Sequence, residues 1–271
     1  MGLAVEGGHW PPLKVTVAPN GARRQPSDHP ALPVTTDQIA DCAASCQAAG
    51  ADQIHLHVRE DDGRHSLDAG RYRDAMAAIA DTAPGLEVQI TTEAAGLYDV
   101  PSQLSLLQDL RPGAASIAVR EIMRRPDLAQ QVYATCAEAG TQVQHILYNA
   151  DDLAALRHLL DRGTVPDHMR AVLLVFGRYD PPQIGQPGQV GAAHDALSGD
   201  FPDWTICAFG PREHEVAEAA MRLGAHVRIG FENNLQRPDG SPARDNAENI
   251  ARAVRAARSI GRRLLNDKGA L

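Results

Sequence analysis

The feature that most constrains the fold is a repeat of pattern. Eight short runs of β-branched and aliphatic residues alternate with alanine- and leucine-rich amphipathic stretches along 271 residues. The runs at 13–18, 53–58, 87–92, 115–119, 142–147, 171–176, 204–209 and 227–231 read as strands. The stretches at 36–49, 68–81, 101–110, 127–139, 151–161, 190–197, 213–223 and 245–260 read as helices. Helix signals agree: Thr36 heads a first turn with Asp37 and Gln38, and Asp151 can cap the helix after the fifth strand. Gly50, Gly140, Gly163, Gly224 and Gly261 stand just past helix ends, where a left-handed residue is needed. Eight strand–helix units imply an α/β fold with a parallel sheet closed into a (β/α)8 TIM barrel. An open doubly wound sheet is the runner-up, but the first turn, Pro19-Asn20-Gly21-Ala22, lacks G-x-G-x-x-G. The expected organisation is one barrel domain over 1–271, with a short extension at 1–12. A Pro/Gly-rich loop at 178–199 is expected to lie over the site.

Composition narrows the chemistry. Of 26 cationic side chains only Lys14 and Lys268 are lysines. Lys14 falls at a strand start and Lys268 in the tail, so Schiff-base or general-base lysine chemistry is not expected. A net charge of −8 argues against nucleic acid. No apolar run approaches a membrane span, and no cationic start leads an apolar stretch at the N-terminus. The four cysteines form no C-x-x-C pair and read as small buried residues in a reducing cytoplasm.

In a barrel, catalytic groups sit at the C-terminal ends of strands. Polar residues collect at those ends here. His55 and His57 lie two apart on the second strand, so both project to one side and can reach one metal ion. Glu232, at the end of the eighth strand, offers a third ligand, making an open two-histidine, one-carboxylate site for zinc, with iron or manganese also compatible. Arg228 points into the same mouth and suits a carboxylate or oxyanion. Thr91, Thr92 and Ser116 are candidates to hydrogen-bond a small polar substrate, and Asn20 ends the first strand. Arg212 opens the helix after the seventh strand, where barrels often bind phosphate.

Two segments carry a resemblance. Gly50-Ala51-Asp52-Gln53-Ile54-His55-Leu56-His57-Val58-Arg59, followed by Asp62-Gly63, resembles the GA-x-x-x-H-x-H-x-R-[DE]-x-x-G segment of the β-keto acid cleavage enzymes, the family of the 3-keto-5-aminohexanoate cleavage enzyme. Gly224-Ala225-His226-Val227-Arg228-Ile229-Gly230-Phe231-Glu232-Asn233-Asn234-Leu235 is similar to the family's GGHVRVGLEDNL. Weaker echoes occur at 32–35, 89–92 and 240–249. The resemblance implies a (β/α)8 barrel with one zinc per chain on His55, His57 and Glu232, and Arg228 as the active-site arginine. It also implies the reaction: a β-keto acid and acetyl-CoA exchange acyl groups, giving a new CoA ester and acetoacetate. A homo-oligomer, with a tetramer admissible, is implied too. Three positions depart from the family pattern. Asn233 stands where aspartate is usual, Gln144 lies in a segment lacking the usual glutamate, and Arg23 replaces an acid after the first turn. Glu93, on the face of Thr91, is the better candidate for the lost carboxylate, ahead of Glu121. The alternative is another divalent-metal barrel enzyme, a hydrolase or aldolase acting on a small carboxylate.

Overall fold

The computed structural model describes residues 10–179 and 181–266. Eight parallel strands form a closed sheet: β1 (Val15–Val17), β2 (Gln53–Leu56), β5 (Glu87–Thr91), β6 (Ala114–Ala118), β7 (Gln142–Leu147), β8 (Ala171–Arg178), β10 (Trp204–Ala208) and β11 (His226–Ile229). Closure comes from β1, which pairs with β11 at Val15↔Val227 and with β2 at Thr16↔Gln53. Two short additions lie outside the ring. β3 (Val58–Arg59) pairs antiparallel with β4 (His65–Ser66), and β9 (Gln183–Ile184) folds back on the end of β8. A two-residue strand carries no periodicity, which is why sequence pattern does not announce these hairpins.

Helices pack on the outside: α1 (Thr36–Ala48), α2 (Ala69–Thr82), α3 (Val100–Leu110), α4 (Val119–Ile122), α5 (Pro126–Ala139), α6 (Ala150–Asp161), α7 (Val190–Leu197), α8 (Glu213–Met221) and α9 (Asn246–Ser259). One expected cap shifts. Asn149, not Asp151, caps α6, because the Asn149 side chain accepts from the Asp152 N–H while Asp151 already lies in the first turn. Thr36 opens the first turn of α1 as expected, and Thr35 before it caps the helix in a reciprocal capping box with Gln38. The five glycines expected past helix ends all have positive φ. The run expected as strand through 119 ends at Ala118, and Val119–Ile122 is helical.

Alternation along the strands divides the core. Val15, Val17, Ile54, Leu56, Ile90, Ile117, Val172, Leu174, Val227 and Ile229 face the helices in one large apolar cluster. The opposite set faces the barrel axis. Part of it is apolar, with Ala118, Ile146, Leu173, Val175 and Cys207 in a small separate cluster. The rest is polar yet buried, including Thr16, Gln53, His55, Gln89, Thr91, Ser116, Gln144, Thr205 and Arg228. A fully buried layer of this polarity survives only if its groups are paired or aimed at a ligand. Lys14 lies just before β1, at the strand-start end, where its N–H donates to His226 Nδ1 (3.0 Å). Lys268 lies outside the described residues, as does most of the expected extension at 1–12. Among the described residues no helix is long and apolar enough to cross a membrane.

Candidate metal centre and its surroundings

His55 leaves β2 and His57 follows one residue beyond it, so alternation turns both rings inward. Their Nε2 atoms lie 3.1 Å apart. Glu232 Oε2 completes a triangle, 3.9 Å from His55 Nε2 and 3.8 Å from His57 Nε2. All three residues are buried, and one ligand atom from each falls within 4.8 Å of the others. Burial and the nearby Arg228 hold the His55 imidazole well below the usual histidine range. Burial and His55 do the same for His57. Both rings are thus neutral at pH 7, the form that ligates a cation. Gln89, the lateral neighbour of His55 across the β2–β5 pair, bonds His55 Nδ1 through Oε1 at 2.9 Å. That bond places the ring proton on Nδ1 and leaves the Nε2 lone pair free.

Glu232 reaches this point by a different route from the one alternation suggests. β11 ends at Ile229, and Gly230 turns the chain at φ +153°. A Cβ there would stand 2.3 Å from the Ala18 carbonyl oxygen, so the tight approach to β1 requires glycine. The following turn is held at several points. Gly230 N–H donates to Glu213 Oε1 (3.1 Å), Phe231 N–H to Asn246 Oδ1 (2.8 Å) and Glu232 N–H to the Ala18 carbonyl (3.1 Å). Gly21 lies against the Glu232 side chain, where a Cβ would come within 2.6 Å of Cγ. Arg59 fixes the same corner, donating from Nη2 to the carbonyls of Gly21 (2.6 Å) and Arg24 (2.9 Å). One residue of the Pro/Gly-rich loop touches the Glu232 turn. Tyr179 donates its hydroxyl to the Glu232 carbonyl, stacks edge-on against Phe209, and lies under the Arg24 guanidinium.

Arg228 faces the triad from β11. Its Nη2 lies 3.5 Å from Glu232 Oε1 and 3.7 Å from Cys207 Sγ, while Nε and Nη1 have no partner. Burial opposes its charge, but Glu232 and Cys207 outweigh that and raise its pKa. Glu93 stands on the other side, its Oε2 3.9 Å from His57 Nε2. Burial, with the negative charges of Glu232 and Glu121, pushes the Glu93 carboxyl up to about 8. The structure therefore brings His55, His57, Glu232, Arg228 and Glu93 together.

Around them the other candidates divide. Ser116 Oγ is buried without a partner, and both polar atoms of the Asn233 side chain are likewise unpaired. Asn20 donates to the carbonyls of Pro33 (2.9 Å) and His57 (3.3 Å), leaving Oδ1 open. Thr91 Oγ1 accepts from the Glu93 N–H (3.0 Å), and Thr92 Oγ1 donates to the Ser116 carbonyl (3.0 Å). Glu121 is occupied by structure: its Oε2 accepts from Ala94 N–H (3.0 Å) and Gln103 Nε2 (2.7 Å). Arg212 is half-exposed and ion-pairs with Glu215 one turn along α8 (2.5 Å). Sequence reasoning missed Gln89, Arg59, Glu213, Asn246 and Tyr179. The two-residue alternation from His57 would have reached Arg59, and strand adjacency Gln89; Tyr179 carries no local signal.

A family model described as "beta-keto acid cleavage enzyme" matches residues 12–270. A 3-keto-5-aminohexanoate cleavage enzyme of Fusobacterium nucleatum subsp. nucleatum is 30% identical over 93% of this chain and 93% of its own length. A 3-oxoadipate:acetyl-CoA acetyltransferase of Cupriavidus necator is 24% identical over 93% and 90%. Among solved structures, ObcA in a binary complex with oxaloacetate superposes with a TM-score of 0.64 at 17% identity, covering 87% of this chain. The chain spans 65% of ObcA's length, and the likeness bears on fold alone.

Proposed function

Since the chain belongs to the β-keto acid cleavage enzyme family, we propose that it exchanges acyl groups between a β-keto acid and acetyl-CoA, giving a new CoA ester and acetoacetate, with zinc on His55, His57 and Glu232. The observation that carries this reading is the convergence of two neutral imidazoles and one carboxylate on a single point, beside an arginine with open donors. The residues fit a divalent cation. Glu232 Oε2 is buried without a hydrogen-bond partner, which is costly unless something positive stands before it. A zinc ion there would polarise the β-ketone and leave positions open for substrate.

The chain's own side chains supply the rest. Arg228 takes the acid's carboxylate on Nε and Nη1 and keeps its proton throughout. Glu93 Oε2 accepts the proton from the carbon between ketone and carboxylate. A carboxyl raised to about 8 is a stronger base than an ordinary one and is poised near neutrality. Asn233 and Ser116, with unpaired buried atoms, orient the substrate. Gln89 holds the His55 ring, and Tyr179 holds the backbone of Glu232 through its carbonyl. The names of relatives support acetyl-CoA as cosubstrate.

The test is acetoacetate release from acetyl-CoA across a panel of β-keto acids with zinc-loaded protein. Acetoacetate and the new CoA ester are expected in equal amounts. Turnover of any acid without a thioester would overturn the exchange. It would favour the alternative, a divalent-metal hydrolase or aldolase, for which the departures at Asn233, Gln144 and Arg23 speak.

A further inference from the structure

We propose that His65, on the β3–β4 hairpin, is a positioning residue for the metal centre: its Nδ1 accepts the Nδ1 proton that His57 carries when Nε2 binds the ion. The inference rests on reading His55, His57 and Glu232 as the ligands.

The two candidate ligand rings are supported unequally. His55 has Gln89 at Nδ1 (2.9 Å), whereas His57 Nδ1 is buried with no partner. A histidine bound to a metal through one ring nitrogen almost always gives the N–H of the other to an acceptor. His65 is placed to be that acceptor. Arg59 follows His57 by two residues, and alternation projects it to the same side. His65 pairs with Arg59 across the antiparallel β3–β4 ladder, and directly opposed residues share a face. The His57 and His65 ring centroids are accordingly 5.1 Å apart, with planes inclined at 52°. Tyr98 steadies the hairpin, donating its hydroxyl to the His65 carbonyl (3.2 Å).

The ring protons give the two Nδ1 atoms complementary roles. His65 Nε2 lies 2.8 Å from the Glu93 carbonyl oxygen, which only accepts, so His65 carries its proton on Nε2. At 2% exposure, with no ion pair among the described residues, the ring is neutral. Its Nδ1 is therefore a lone pair, and it too is buried without a partner. His57 Nε2 lies 3.1 Å from His55 Nε2, whose lone pair is free because Gln89 holds the His55 proton on Nδ1. His57 is thus the donor of that bond, and the bond and a cation exclude one another at Nε2. With Nε2 on the ion, the neutral His57 ring carries its proton on Nδ1, and the His65 lone pair becomes its acceptor. Two buried atoms orphaned in one tautomer satisfy each other in the other. His65 then ties a ligand ring to the backbone of Glu93.

The experiment measures zinc affinity by competition with a chelator, and the visible spectrum of the cobalt(II)-substituted protein, in the full-length parent, His65→Gln and His65→Asn. A glutamine amide nitrogen takes the place of imidazole Nε2, so His65→Gln keeps the donor to the Glu93 carbonyl and lacks the acceptor. An asparagine oxygen takes the place of Nδ1, so His65→Asn keeps the acceptor and lacks the donor. Zinc affinity should fall roughly 10–100-fold in His65→Gln, with a shifted cobalt spectrum, and most of that loss should be recovered in His65→Asn. Melting temperature should fall further in His65→Asn than in His65→Gln. A residue that only supports the Glu93 segment would give the reverse order of zinc affinity. That reverse order, or equal affinity in all three proteins, would overturn the proposal. Equal affinity would pass the His57 proton to Asn20, whose Oδ1 is also unpaired and whose amide bonds the His57 carbonyl (3.3 Å). A parent that binds no zinc would sink the metal reading itself, whereas zinc bound alike by parent and His65→Gln would sink this inference alone.

Discussion

Two polar layers inside the barrel behave differently. In the lower one, Thr16 Oγ1 donates to Gln53 Oε1 (2.9 Å), Gln89 Nε2 to Gln144 Oε1 (3.3 Å) and Gln144 Nε2 to Thr205 Oγ1 (3.0 Å). None of these five side chains carries a buried atom without a partner. One turn of alternation higher, unpartnered atoms accumulate: Asn20 Oδ1, His57 Nδ1, Ser116 Oγ, Arg228 Nε and Nη1, Glu232 Oε2, and both polar atoms of Asn233. The lower groups come from β1, β2, β5, β7 and β10, the upper ones from β6, β11 and the turns after β1, β2 and β11. Each orphaned buried group costs about 1–3 kcal/mol against its solvated state. A fold that tolerates so many at one end and none in the layer beneath has them aimed at a ligand. Gln89 joins the layers, bonding downward to Gln144 and upward to His55.

That contrast can be broken from either side. Removal of an upper-layer ligand should give the largest effect. His57→Ala should lower kcat for acetoacetate formation on the order of 10³-fold while thermal stability is kept or increased, because a neutral buried imidazole without a partner at Nδ1 is lost. A collapse of stability in that variant would place His57 with the structural layer. Gln89→Ala should weaken zinc binding by roughly 10–100-fold in equilibrium titration, since the His55 ring loses its orienting acceptor. Unchanged affinity would show that the bond between the layers does not tune the centre.

Lower-layer changes should act on stability instead. Thr205→Val leaves Gln144 Nε2 without its acceptor and should cost about 1–3 kcal/mol of unfolding free energy with kcat little altered. A histidine outside both layers supplies the smallest effect. His145 bonds the Met169 carbonyl at Nε2 (3.0 Å) and faces the Tyr133 hydroxyl at Nδ1, and burial holds its pKa down to about 4, against 6.5 in an exposed imidazole. Since the unfolded chain binds that proton more readily, its contribution is complete above pH 6.5 and is lost as pH falls toward 4. Melting scans between pH 7 and 5 should show an acid slope that shrinks by about one proton in His145→Gln, roughly 1.4 kcal/mol per pH unit. An unchanged slope would contradict the assignment.

The barrel was legible because its signal is repeated. Eight alternating units fix strand count, and helix ends are marked by glycines such as Gly140 at φ +71°. Even the short helix Val190–Leu197, inside the Pro/Gly-rich loop, is readable from its alanine-rich spacing. His55 and His57 were readable for the same reason, since alternation within a strand is local. Glu232 was reached by extending alternation past the point where Gly230 ends it, and a turn delivered the side chain to the expected place. What sequence left dark is contact between distant segments. Nothing near Tyr179 signals Glu232, 53 residues away, and nothing near Glu121 signals the Gln103 amide that occupies it. Arg212 was placed by a general tendency of barrels, and its own Glu215 one turn along α8 takes its charge instead.

The most direct test of the account is a calorimetric titration of zinc into protein stripped with chelator, with the His55→Ala and Glu232→Gln variants alongside. The account predicts one ion bound per chain in the parent, severe loss of affinity in both variants, and β-keto acid binding that appears only after the ion is in place. Absence of stoichiometric binding in the parent, or an ion retained unchanged by both variants, would contradict the claim that the unpaired atoms of the upper layer are arranged around a metal.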